Sequence, residues 1–224
     1  MDPNWLVLAH ILLFVYWLGG DLGVFYSSRF VTDPTLGTEA RATAAKIMLA
    51  VDLAPRICLI LILPVGLTLA AMKWGLGLGG GVLSVIWVGC LAWLVIAVTI
   101  YLREGQPLSH LLARIDQAIR WFVIVLVGGV GVWSLVAEGP LAGQGWLAAK
   151  FLLFAVLVIC GLAIRAAIRP FGPAFGRLMQ EGSSPEVEAQ LGGSVARARP
   201  FVLVIWAGLV LAAALGIFKP PALF

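Results

Sequence analysis

From Trp5 to Phe30 the chain reads WLVLAHILLFVYWLGGDLGVFYSSRF, an apolar run longer than the roughly 20 residues needed to cross a bilayer. Two ionisable side chains, His10 and Asp21, interrupt it. Such a group costs about 2.5–3.5 kcal/mol at the centre of a membrane helix on insertion scales, so its presence marks a functional position. On a helix the two lie eleven residues apart, about three turns, and share a face with Phe14 and Trp17 between them. The first helix therefore reads as one wall of a buried polar or cofactor site.

The remaining chain is equally apolar. Of 224 residues, 62% are hydrophobic and 12% charged, and the mean hydropathy is +1.04, more than a soluble domain of this size can hide. The fold expected is all-α, a polytopic transmembrane bundle of about six helices forming a single integral membrane domain. Its spans are expected at about 5–28, 50–72, 81–102, 117–136, 146–167 and 200–218. Pro55 and Pro64 should kink or loosen the second span, which membrane helices tolerate. Gly19-x-x-x-Gly23 reads as a close helix contact. The one long polar connection covers 168–199, where Ser184–Pro185–Glu186 has the form of an N-cap followed by Pro at the first helical position, predicting a short surface helix. The segment PLSHLLARI predicts a second amphipathic piece lying on the membrane surface before the fourth span.

Lys and Arg are distributed unevenly between the loops. The first carries Arg29, Arg41 and Lys46, the third Arg103, Arg114 and Arg120, and the fifth Arg165, Arg169, Arg177, Arg197 and Arg199. On the opposite side only Lys73 and Lys219 lie outside the spans. The positive-inside rule makes the odd loops cytoplasmic and places both termini outside, in the periplasm of a Gram-negative host, so the expected location is the bacterial inner membrane. The first span is too long and lacks the basic flank of a cleavable signal, so it is expected to remain in the protein. The net charge of +4 fits loops facing anionic lipid, and no basic tract with interleaved aromatics points to nucleic acid.

The chemistry-bearing residues are few. Cys58, Cys90 and Cys160 sit in apolar runs without CxxC or CxxCH spacing, which argues against c-type haem, zinc and iron–sulfur sites. No Walker A loop or dinucleotide fingerprint occurs. With one histidine in the spans, a bis-histidine four-helix cytochrome and multi-His or multi-Met copper sites are excluded; His110 reads as an ordinary loop residue. His10 lies five residues inside Trp5, and Lys150 four residues inside Trp146, so both sit roughly 6–8 Å below the same interface. They can face each other across a cofactor, or else form a helix–helix hydrogen bond (His10) and snorkel to the interface (Lys150). Asp21 and Arg56 match in depth near the inner side and read as an ion pair, or as a proton- or propionate-handling pair that Tyr26 and Arg29 extend into a polar path.

The pattern His10 … Trp17-Leu-Gly-Gly … Phe25-Tyr26-x-x-Arg29-Phe30, then Gly145-Trp146-Leu-x-x-Lys150, then Arg197-x-Arg199-Pro200 before a last helix ending Lys219-Pro220, resembles the HemJ-type protoporphyrinogen oxidases, which are related to small CopD-like membrane proteins. The resemblance covers the first, fifth and sixth spans and extends in part to the fourth, something over half the chain. It implies a b-type haem with His10 and Lys150 as axial ligands to the iron, packed by Trp17 and Trp146. The chain departs from that family in having six spans rather than four, Ser27–Ser28 where Leu-Pro is frequent, and no Asn-Glu before Pro200. These departures bear on the oxidase activity more than on the haem site. The expected function is thus a haem b-binding redox protein that transfers electrons or oxidises a hydrophobic substrate, with a membrane electron-transfer partner. The competing expectations are a cofactor-free subunit of a larger membrane complex, a homo-oligomer included, and a CopD-like transporter of a small solute or metal.

Overall fold

A computed structural model describes residues 3–103, 105–137 and 139–220. Among them the chain forms seven helices, α1 (Pro3–Val31), α2 (Thr38–Trp74), α3 (Gly80–Leu102), α4 (Pro107–Val136), α5 (Gly145–Ala167), α6 (Phe171–Glu181) and α7 (Pro185–Phe218). All but α6 are long and apolar enough to cross a membrane, as expected. Helices close every interior backbone hydrogen bond within one segment, which is what a hydrocarbon solvent demands. The outward faces are apolar: Val85 is 73% exposed and Val125 71%. Such surface is stable against acyl chains and not against water.

The spans continue beyond the apolar windows. At about 1.5 Å per residue, the 37 residues of α2 and the 34 of α7 reach well past a hydrocarbon core about 30 Å thick. PLSHLLARI does not lie on the surface as a separate piece: it forms the first turns of α4, with Pro107 at the helix start, where its missing N–H costs nothing. Ser184 does cap a helix, its Oγ accepting the Val187 N–H at 3.3 Å. That helix is α7 itself, which runs on through Pro200 rather than stopping as a short surface element. The short surface helix of the long loop is α6 instead, docked on the start of α7 through Ala174, Leu178, Val187 and Leu191.

α1 packs along α2, and α5 contacts both α4 and α7. The α1–α2 contact is made by small residues meeting proline. A Cβ on Gly20 would come within 2.6 Å of Pro55 Cδ, and one on Gly23 within 3.0 Å of Val51 Cγ1, whereas one on Gly19 would meet nothing within 4 Å. The close approach expected from the glycine pair is therefore real, but Gly20 and Gly23 make it. At the end of the bundle away from the termini, Arg41 is 1% exposed and forks onto Glu188 at 2.7 and 3.0 Å while its Nε donates to the Val31 carbonyl at 2.8 Å. One guanidinium thereby ties α1, α2 and α7. Gly20→Ala is expected to lower stability by about 1–3 kcal/mol through overpacking against the rigid Pro55 ring, and Gly19→Ala to leave it unchanged, read as thermal midpoints in detergent.

Candidate functional site

The bundle encloses a cavity of about 540 Å³ at the end that carries both termini. Its walls come from α1 (His10, Phe14, Trp17), α2 (Gly66, Lys73, Trp74), α4 (Val127), α5 (Trp146, Lys150, Phe154) and the end of α7 (Gly216, Lys219). The space exists because α1 and α5, although both contact α7, have no Cα atoms within 8 Å of each other. Trp17, 2% exposed, meets Phe154 edge-on at 6.5 Å between ring centroids and floors the cavity. Trp146 meets Trp74 edge-on at 5.2 Å near its mouth.

His10 and Lys150, matched in depth by the sequence, do line this one cavity. Two glycines make room for them. A Cβ on Gly66 of α2 would lie 3.1 Å from His10 Cε1, and one on Gly216 of α7 would lie 3.0 Å from Lys150 Nζ. The His10 Nδ1 is buried without a hydrogen-bond partner. Leaving such a polar atom unsatisfied costs about 1–3 kcal/mol. Lys150 Nζ stands 6.0 Å from the Trp146 ring centroid, inside the cavity. No carboxylate among the described residues pairs with it.

The inner polar residues are arranged differently from the expectation. Arg56 does not pair with Asp21; it pairs with Asp52 one turn earlier on α2. The i,i+4 partner on the same helix is always within reach, whereas equal depth on two helices says nothing about which way the side chains turn. Asp21 lies beside Asp52 and within hydrogen-bonding reach of the Trp17 indole, and its Oδ2 is buried without a partner. Tyr26, 60% exposed, stacks edge-on against Phe30, and Arg29 is exposed over Phe25. Both face outward, so the interior part of the polar path reduces to Asp21, Asp52 and Arg56.

One buried cluster escaped the sequence reading. Asp116, 0% exposed, accepts from Arg120 Nε at 2.9 Å, Arg165 Nη1 at 2.6 Å and Trp93 Nε1 at 2.7 Å. It locks α3, α4 and α5 together. Arg120 and Arg165 count as loop charges in an orientation argument, yet Arg120 is 3% exposed within α4. The signal available was Asp116 itself, four residues before Arg120, at the edge of an apolar run.

Compared with known protein families, curated proteins and solved structures, the chain gives no match. Asp116→Asn is expected to lower stability by about 3–5 kcal/mol, because it leaves the buried guanidinium of Arg120 uncompensated. His110→Ala, at an exposed position, is expected to have no effect in the same thermal assay.

Proposed function

We propose that this chain binds one b-type haem in the cavity between His10 and Lys150 and serves as a membrane redox protein, in electron transfer or in oxidation of a hydrophobic substrate. The observation that carries this reading is a buried imidazole with an unpartnered nitrogen sharing one aromatic-lined cavity with an unpaired amine. The residues fit the group. The volume of about 540 Å³ lies within the usual range for cofactor sites, roughly 300–1,000 Å³, and the walls are apolar apart from a few convergent polar atoms. A nitrogen ligand is available from α1 and another from α5, and Trp17, Phe154 and Trp146 offer faces and edges against which a macrocycle can pack.

A haem held there supplies one-electron chemistry. The chain itself does the rest. Gly66 and Gly216 leave His10 and Lys150 the space to reach inward, and the helix contacts around them fix where each amine or imidazole nitrogen stands. Trp17 and Phe154 close the deep end of the cavity toward the opposite half of the bundle. Asp21, beside Trp17 and with one carboxylate oxygen unpartnered, is the group in position to hold a proton below that floor.

The test is a reduced-minus-oxidised absorption spectrum of the detergent-purified protein with a pyridine haemochrome assay. The expected result is a b-type signal close to one haem per chain, with His10→Ala and Lys150→Ala each altering the ligand-field bands. Unchanged bands in both variants would remove these residues as ligands. A colourless preparation, even after expression with a haem precursor, would favour a cofactor-free subunit. Gly66→Ala is expected to perturb the spectrum more than Gly216→Ala, because the methyl meets a stiff imidazole in the first case and the mobile tip of a lysine in the second.

A further inference from the structure

Among the described residues the cavity wall carries three lysines, Lys73, Lys150 and Lys219, and not one aspartate or glutamate. None of the three is paired with a carboxylate among the described residues. At the mouth, Lys219 and Lys150 stand against aromatic rings. Lys219 Nζ stands 4.6 Å from the Trp74 centroid and 5.9 Å from that of Trp146, while Lys150 Nζ approaches the same Trp146 ring at 6.0 Å. The rings are held in turn: Trp74 meets Trp146 edge-on, and Gln144 Nε2 donates to the Trp74 carbonyl at 2.9 Å. Two lysine amines thus share one indole, and no carboxylate among the described residues forms an ion pair with either. Ring faces attract cations but do not neutralise them.

The backbone adds an independent sign. Lys219 has φ 41°, and among the described residues it is the one non-glycine with positive φ. It caps α7 in the left-handed conformation, its N–H bonded to the Leu215 carbonyl at 3.1 Å. A side chain with a Cβ is strained there, and strain that persists at a cavity mouth points to a task for that side chain. Lys73, in the last turn of α2 next to Trp74, stands on the same rim.

We infer that Lys73 and Lys219 form an anion-recognition rim that holds the carboxylates of an amphiphile whose apolar body fills the cavity. The deep end, floored by Trp17 and Phe154, offers no charge, so the ligand must enter body first and leave its anionic groups at the rim. This rests on the preceding reading only in taking that body to be a tetrapyrrole; the recognition itself needs no iron.

The experiment uses the full chain in detergent and follows tryptophan quenching on titration with metal-free protoporphyrin IX and, in parallel, its dimethyl ester. The expected result is binding of the free acid at least about tenfold tighter than the ester, with the difference lost in the Lys73→Gln/Lys219→Gln double variant and ester binding unchanged. Equal affinity for acid and ester, the absence of binding by either, or an undiminished preference in the double variant would overturn the rim. So would full displacement of the porphyrin by equimolar phosphatidylglycerol, which would assign the rim to a lipid headgroup. Because the probe holds no metal, the two readings fail separately. A tight, charge-dependent porphyrin complex in a protein whose haem spectrum ignores His10 and Lys150 would refute the iron ligands and leave the rim standing.

Discussion

A charge carried into hydrocarbon has to find its counter-charge inside the protein, and the two halves of this bundle meet that demand in opposite ways. In the half away from the termini, the buried and half-buried arginines are paired with carboxylates: Arg41 with Glu188, Arg56 with Asp52, Arg120 and Arg165 with Asp116. In the half with the termini, His10 and Lys150 line one cavity with no carboxylate among its described lining residues, and exposed Lys73 and Lys219 stand on its rim. The first arrangement is self-sufficient and serves packing. The second leaves the His10 Nδ1 buried without a hydrogen-bond partner and Lys150 without a carboxylate partner among the described residues.

The matched half also explains how the open half can exist. Asp116 binds α3, α4 and α5 through Trp93, Arg120 and Arg165, and Arg41 binds α1, α2 and α7 through Glu188 and the Val31 carbonyl. The Gly20–Pro55 contact then holds α1 against α2 midway along the bundle. With the helices fixed at that end, α1 and α5, whose backbones stay apart along their whole length, can keep a cavity between them at the other without collapse. The cavity is bought by the clamps below it.

What the sequence made legible follows from the same physics. Apolar length alone forces six spanning helices, and Trp5 and Trp146 mark an interface from which the equal depth of His10 and Lys150 can be measured. Depth is readable from a count of residues. Direction around the helix axis is not, which is why Asp21 and Arg56, equal in depth, are not partners, and why Tyr26 turns outward from the path assigned to it. Counting Lys and Arg to orient the chain likewise treats every cation as solvated. Arg41, Arg120 and half-buried Arg165 are not: Arg41 sits where α2 extends past its apolar window, Arg120 and Arg165 fall within the expected spans, and all three meet carboxylates. Lys73 and Lys219 entered only as the two exceptions to a charge bias; that they stand on the rim of one cavity follows from how α2 and α7 pack, which a residue count does not give.

Asp21 stands where the two halves meet, and it belongs fully to neither. Its neighbours toward the matched half are Asp52, already engaged by Arg56, and toward the cavity the Trp17 indole. A guanidinium one turn along α2 could have been spent on it, and the fold spends that guanidinium on Asp52 instead. The result is a carboxylate with one oxygen buried and unpartnered directly beneath the cavity floor. In a purely structural bundle this is the cheapest position to replace, since an apolar residue there would remove a desolvation cost and break no ion pair. In a redox protein it is a place inside the bundle where a proton can be held close to the cavity without disturbing the clamps that keep the cavity open.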